Sequence, residues 1–464
     1  MSKLNSVCPG QHLRPRRRGR QRKPSTSYAA CLFFIVLATT QISAQVDLPD
    51  PVKAVVANPS ALLPAVPRPP QTKRPITLSD AVSIFLQQNL QLVAARYDID
   101  EVDAEKLSAA VRPNPQVNFS SSGLPLKFNA PFLSSQTFTY TVSQTLEMGG
   151  KRPKRINAAN LNSEVARANF QIVVWQMTND VKKKFYTVLL NESLLNLSKE
   201  NQKTFADIVE RTRQVFRAGE ISGLDLQRLE IEKFKFDTDV ANSERDYELA
   251  LRDLRAALGG DYRATDISVA GSMDYYKMYD LTFADMRDKA LAARPDLKAA
   301  QLSEKAADAS IVLQDAQKIP DVTVTAGVNQ APDGGSNYTY GVGVTLPTSD
   351  RNQTERAKAL IEKRKAQNQQ QILTNQILAD VDKAVVAFNI QKRRIELYRS
   401  GVLTKVTDIQ TATEYALKVG ENSTLELLDA IRTRRDTLAG FYQTIFDYQM
   451  SLLDLELATA TPLP

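Results

Sequence analysis

Thr137-Phe138-Thr139-Tyr140-Thr141-Val142-Ser143-Gln144-Thr145-Leu146 is the stretch on which the reading of this chain turns. Extended backbone sends successive side chains to opposite faces, so Phe138, Tyr140, Val142 and Leu146 share one face and Thr137, Thr139, Thr141, Ser143 and Thr145 the other. Gln144 is the one polar intruder on the apolar side. Tyr338 to Leu346 repeats the pattern, with Tyr338, Tyr340, Val342, Val344 and Leu346 opposed by Thr339, Gly341, Gly343 and Thr345. Two more segments carry the same period, Val117 and Phe119 in one, and Val322, Val324, Ala326 and Val328 in the other. The spacing predicts four strands, at 115–123, 135–146, 320–329 and 337–346. Large apolar side chains facing small hydroxyls over about ten residues suit a barrel with lipid outside and water inside. A half-buried sheet in a water-soluble protein gives the same alternation. Four strands cannot close alone, because the smallest membrane barrels have eight and open edges are not tolerated in lipid. The barrel reading therefore requires partner chains.

The strands recur because the chain is duplicated. Thr77-Leu78-Ser79-Asp80 matches Thr282-Phe283-Ala284-Asp285, and Leu92 and Pro115 match Leu297 and Pro320, all at a shift of 205 residues. Thr145-Leu146 matches Thr345-Leu346 at 200, and Gly219-Glu220-x-Ser222-x-Leu224 matches Gly420-Glu421-x-Ser423-x-Leu425 at 201. Each copy reads as a helix, two strands, and a long helix broken once near a Gly-Glu. Predicted helices cover 77–111, 152–217 and 222–258 in the first copy and 282–317, 352–418 and 423–459 in the second. No proline lies between Pro153 and Pro295 or between Pro347 and Pro462, which leaves two windows for very long helices. The window ending near 218 is on the order of 100 Å at 1.5 Å per residue. Such a helix needs partners, and Phe441, Ile445, Tyr448, Leu452 and Leu455 supply a seam in alternating steps of four and three, echoed by Tyr247, Leu251 and Leu254. A coiled-coil bundle in water would carry the same stripe.

The N-terminus has a basic stretch from Arg14 to Lys23, an apolar run from Ala29 to about Thr39 and small residues ending at Ser43-Ala44, the make-up of a secretory signal over 1–44. The apolar run falls short of the roughly 20 residues a spanning helix needs. This segment holds eight of the 59 basic side chains and no acidic one, so its removal takes the net charge from +7 to −1. The basic balance belongs to the leader, and no nucleic-acid partner is expected. Cys8, His12 and Cys31 leave with it, the only cysteines and histidine of the 464 residues. Without them the usual nucleophile systems, N/S zinc sites and disulfides are excluded, so no catalytic residue, cofactor or metal site is expected. Residues 45–75 contain eight prolines and read as an extended N-terminal tail, with 76–270 and 271–460 as the two repeats and 461–464 as a C-terminal tail.

These features together resemble the TolC-like outer-membrane efflux protein family, over about 76–460. The resemblance is carried by the paired helical openings, Asn114-Pro115 before the first strand, the segment from Val142 to Arg152 with its Gly149-Gly150-Lys151-Arg152 junction, and the two Gly-Glu-x-Ser turns. It implies a mainly α fold with a small β part: a homotrimer whose twelve strands close one barrel in outer-membrane lipid above a long periplasmic α-helical barrel. It also implies a passive duct, not an enzyme, joined to an inner-membrane transporter through a periplasmic adaptor (membrane fusion protein). The Gly149–Arg152 junction is similar to that of the heavy-metal and cation-efflux branch. With no His, Cys or Met cluster to hold soft metals, selectivity would then rest in the inner-membrane partner.

By the same likeness the turns are the adaptor-contacting tips, namely Arg217, Gly219, Glu220 and Ser222 in the first copy and Val419, Gly420, Glu421 and Ser423 in the second. A glycine that ends one helix and a serine that caps the next are also what any helical hairpin requires. Glu426 and Asp429 match an acidic pair that rings the closed exit in the family. A spacing of three places both carboxylates on one helix face. A solvated acidic face would look the same. The first copy has Asp225 and Arg228 at these places, so only the second hairpin can form an acidic ring. The main rival reading is a secreted or periplasmic coiled-coil scaffold or adaptor, which explains the heptads but not four lipid-style strands. A carboxylate hydrolase would need a pocket that these charged helical faces do not suggest.

Overall fold

The computed structural model describes residues 75–123, 136–219, 221–259, 267–273, 278–279, 283–419 and 421–462; the leader, nearly all of the Pro-rich tail, Glu220 and Gly420 lie outside them. In chain order the elements are α1 (Leu78–Gln88), α2 (Leu90–Ala110), β1 (Gln116–Ser122), β2 (Thr137–Leu146), α3 (Lys151–Arg217) and α4 (Gly223–Leu258). The second copy follows with α5 (Phe283–Ala293), α6 (Pro295–Gln317), β3 (Val322–Gln330), β4 (Ser336–Val344), α7 (Gln353–Leu397), α8 (Leu403–Lys418) and α9 (Thr424–Thr459). The duplicated plan of helices, two strands and a long hairpin is present in both halves.

The opening helix of each copy is two helices, not one, and each break has a local cause. Thr77 starts α1 with a capping box: its hydroxyl accepts from Asp80 N at 3.2 Å while its own N–H donates to the Asp80 carboxylate at 3.1 Å. Asn89 then leaves the helical region, with ψ at 118°, and caps α2 by accepting from Gln91 N and Leu92 N. Its amide donates to Ala257 O at 2.8 Å, so one buried side chain ends α1, begins α2 and holds the end of α4. In the second copy Arg294 precedes Pro295, whose ring drives the preceding residue out of the α region.

Gly259 ends α4 with φ at +77°, and a Cβ there would lie 2.5 Å from the Asn89 Cα. Gly219 has a similar φ of +81° but open space around it. Gly259→Ala should therefore lower folding stability by about 2–4 kcal/mol, against about 1 kcal/mol for Gly219→Ala, which meets only the left-handed penalty. Thermal unfolding of the purified variants followed by circular dichroism checks this; equal losses would mean that the close approach to Asn89 relaxes freely.

α3 runs unbroken for 67 residues from two left-handed glycines, Gly149 and Gly150. The predicted counterpart over 352–418 is not continuous. α7 ends at Leu397, a kink spans Tyr398–Val402 with Ser400 and Gly401 out of the helical conformation, and α8 continues to Lys418. Gly401 sits at φ +104°, which it alone in the turn adopts without strain, and the Ser400 hydroxyl donates to Leu397 O at 2.7 Å, satisfying a carbonyl at the break. Gly440 of α9 faces the turn: a Cβ there would come within 2.8 Å of the Tyr398 hydroxyl, so the missing side chain makes room for the tyrosine.

α3 is the common neighbour of α2, α4, α6 and α9, and α7 packs against α6 and α9. The predicted seam is buried: Ile445, Tyr448 and Leu455 are fully enclosed, and Phe441 is half-buried beside them. One apolar cluster joins α1, α3 and α4 through Phe85, Phe185, Val188 and Leu254. A second serves the other copy through Met286, Ile377, Val381 and Leu455. A third, nearer the hairpin tips, stacks Phe205 on Phe236 with centroids 4.7 Å apart, over Leu427 and Ile431.

The four strands form one antiparallel sheet in the order β1-β2-β3-β4. Val117, Val142, Ala326 and Tyr340 stand in one row across it, and Phe119, Tyr140, Val328 and Tyr338 in the next. Observed strand limits fall within two residues of the predicted ones.

Candidate functional site

The register places every large apolar side chain of the sheet on one face. Val117, Tyr140, Val142, Leu146, Val324, Val328, Tyr338, Tyr340, Val342 and Val344 all lie exposed there, Tyr338 and Tyr340 nearly nine-tenths so. A contiguous apolar face that no element among the described residues covers is not a water-facing surface of an ordinary soluble sheet. From Phe138 to Leu146 it extends about 26 Å at 3.3 Å per residue, near the height of the apolar band of a membrane barrel. Aromatic residues occupy the rows toward the C-terminal end of β1 and the β3–β4 turn, where Phe119 lies against Phe138 and Tyr140. The opposite face is a hydroxyl ladder: Ser143 Oγ meets Thr325 Oγ1 at 3.0 Å, and Asn329 donates to Thr339 Oγ1 at 2.7 Å. Gln144, the intruder, turns its amide to Pro113 O at 2.9 Å and so supplies a carbonyl at the helix-side rim of the sheet with a donor.

The Gly149-Gly150-Lys151-Arg152 junction fixes sheet to helices. Lys151 is buried against Asp321 at 2.8 Å, and Asp321 also accepts from Met148 N. Arg152 and Arg155 donate to Ala110 O and Ala109 O, and Arg155 reaches Val111 O as well, so two arginines satisfy carbonyls at the end of α2 while Arg155 grips Glu147. Sequence alone offered this motif as a clue to cargo. Its contacts are mechanical.

At the first tip Arg217 is the last residue of α3, Gly219 turns the chain, and Ser222 caps α4 by accepting from Leu224 N at 3.2 Å. At the second, Val419 is exposed, Glu421 N donates to Ala416 O, and Ser423 caps α9. Glu220 and Gly420 lie outside the described residues. Glu426 and Asp429 project into solvent from the same side of the first turns of α9. Among the described residues neither carboxylate has an ion-pair partner, whereas Asp225 in the first copy is paired with Arg228 at 3.6 Å. Glu426 has a second duty: its carboxylate accepts from Ser423 N at 3.3 Å and its own N–H donates to Ser423 Oγ, completing a capping box.

Just above this pair, three arginines tie the second hairpin to the first. Arg432 bonds Glu232 of α4, Arg434 bonds Glu200 of α3 at 2.9 Å and Arg435 bonds Asp239 of α4 at 3.0 Å, with the Arg435 guanidinium also over the Phe236 ring. Burial works against the Glu232 charge, but hydrogen bonds from Arg432 and Lys235 outweigh it and hold the carboxyl below the usual glutamate range. Sequence reading missed these links because the partners are some 200 residues apart. The signal was the cluster Arg432-Thr433-Arg434-Arg435 set against the acid-rich α4. Among the described residues no group of three or more His, Cys, Asp or Glu is placed to hold a metal, and no helix is long and apolar enough to cross a membrane.

The family model described as outer membrane efflux protein matches residues 81–260 and 286–460, one span in each repeat. Over 375 residues the chain is 24% identical to the cobalt-zinc-cadmium resistance protein CzcC of Cupriavidus metallidurans, covering 81% of this chain and 87% of that one. The nickel and cobalt resistance protein CnrC of the same organism is 25% identical over 295 residues, 60% of this chain and 67% of that one. Crystal structures of CusC superpose with a TM-score of 0.69 at 18% identity, covering 86% of this chain and 98% of theirs. The Campylobacter jejuni CmeC outer membrane channel also gives 0.69, at 15% identity over 82% of this chain and 85% of that one.

Proposed function

The chain belongs to the outer membrane efflux protein family, and from that membership we propose the working assembly: three copies close one twelve-stranded barrel in the outer membrane and continue as a helical duct through the periplasm. The observation that carries this is the exposed apolar face of a sheet whose two edges are unpaired among the described residues. Unpaired edge amides and carbonyls are too costly in lipid, and four strands cannot cancel them without other copies. The helices add support, because α7 exposes Ile372, Val386, Ile390 and Leu397 and α4 exposes Ile231, Phe234 and Leu249, stripes that a neighbouring copy would cover. The scaffold alternative leaves the sheet face unexplained.

In this assembly the tips at Arg217, Gly219, Glu220 and Ser222 and at Val419, Gly420, Glu421 and Ser423 meet the periplasmic adaptor, and an inner-membrane transporter supplies the energy. Glu426 and Asp429 ring the exit with six carboxylates per trimer, favouring cations. The cargo is divalent transition-metal ions, in line with the resistance described for the cobalt, zinc, cadmium and nickel relatives. Deleting the gene in its native host should raise sensitivity to these metal salts; unchanged metal tolerance with new sensitivity to organic drugs would discard the metal reading. Outer-membrane fractions extracted in mild detergent should yield a trimer, and a monomer that conducts nothing in a planar bilayer would remove the duct itself.

A further inference from the structure

We infer that the free edge of β1 pairs with the free edge of β4 of the next copy in one register, Ser120 opposite Gly341, an inference that rests on the trimeric barrel proposed above. Closure geometry restricts the choice. Strands about 4.8 Å apart, rising about 3.3 Å per residue and tilted about 35–45°, define a walk of about 58 Å perpendicular to twelve strands that returns displaced by about 12–18 residues along the first. Threefold symmetry gives each copy a third of that stagger. The share must be even, because an odd step would turn the apolar face of the next copy inward. Four or six residues remain.

The row that crosses this sheet at Val117, Val142, Ala326 and Tyr340 therefore meets the next β1 four or six residues from Val117. Counting toward the N-terminus, a step of four leaves only Gln116 and Val117 opposite β4, and a step of six leaves none. Counting toward the C-terminus, a step of six sets only Phe119–Ser122 within β4 and puts Gln116 against Pro347, which has no N–H to give. A step of four sets Val117–Ser122 against Thr339–Val344, six residues within both strands. It pairs Val117 with Val344 and Phe119 with Val342 on the apolar face. On the hydroxyl face it lays Ser120 and Asn118 over Gly341 and Gly343, where an added Cβ meets nothing closer than 4.0 Å within the chain. The glycines leave room at the seam for the neighbour's polar side chains.

Cysteine pairs read this register directly, since directly opposed residues bring their Cβ atoms within bridging range and residues two positions off do not. In the full chain, with Cys8 and Cys31 replaced by Ala, Ser120→Cys/Gly341→Cys and Asn118→Cys/Gly343→Cys should link copies into a covalent trimer on a non-reducing denaturing gel. The six-step pairs Ser120→Cys/Gly343→Cys and Ser122→Cys/Gly341→Cys should link at least about tenfold less. Each variant must first run as a detergent-stable trimer when reduced. Linkage through the six-step pairs instead overturns the register and leaves the barrel standing, and an intact trimer that links through neither set overturns β1–β4 pairing. Absence of any trimer, in the cysteine-free parent as well, fails the assembly on which the register rests.

Discussion

Val142→Arg should abolish the assembled protein in the outer membrane while Thr139→Arg leaves most of it in place. The two positions are three residues apart on β2 and face opposite ways. Val142 stands midway between the Phe138 and Leu146 rows on the exposed apolar face, and Thr139 lies on the hydroxyl face, opposite Ser120 and Asn329. An arginine on a lipid face near mid-bilayer costs about 2–4 kcal/mol per chain, and three copies would pay it together, about 6–12 kcal/mol per barrel. That is comparable to the whole stability of a typical fold. On the other face the guanidinium reaches water and costs little. Heat-modifiable trimer in outer-membrane fractions gives the readout. Loss of the Thr139→Arg trimer with survival of Val142→Arg would reverse the two faces and with them the duct.

The second large effect concerns the exit. Glu426→Gln with Asp429→Asn should raise single-channel conductance several-fold at low salt and weaken cation preference, because six like charges around one opening repel one another and attract cations. Glutamine keeps the reach back to Ser423 N, so the cap is retained and a change in current is not merely a frayed helix. The increment should shrink near 1 M salt, where the screening length falls to about 3 Å. Asp225→Asn is the control, since its charge is already matched by Arg228. Unchanged conductance in the double variant would make the pair a solvated acidic face.

Much of this was legible in the residues themselves. Alternation of Thr with Phe, Tyr and Val marked β2 and β4 because a strand's period is fixed by stereochemistry, and the Gly-x-x-Ser turns marked the tips because a left-handed end and a hydroxyl cap are strong local requirements. Ser423-x-x-Glu426 was also visible as a capping box, although its glutamate was read for its charge alone. Less legible was the double role of Asn89, whose effect depends on Ala257 being beside it. The arginine links to Glu200, Glu232 and Asp239 were hidden for the same reason. Propensity is local, and these contacts join residues that only the fold brings together.

The kink at Tyr398–Val402 also has a meaning in terms of descent. Asn179-Asp180-Val181 corresponds to Ala379-Asp380-Val381 at a shift of 200, and Val181, Phe185, Val188 and Leu195 are buried, as are Val381, Val385, Phe388 and Ile395 at the same shift. By the tips the shift is 201, Gly219 to Gly420. One residue has been gained in the second copy, or lost from the first, between these points. An ordinary helix would carry such a change through every later turn, rotating its buried face by about 100°. At the kink the chain leaves the helical path at Ser400 and Gly401 and resumes it in α8, and so takes up the odd residue in one place. The two halves of the gene could thus drift apart in length while each long hairpin kept its own seam and its own tip.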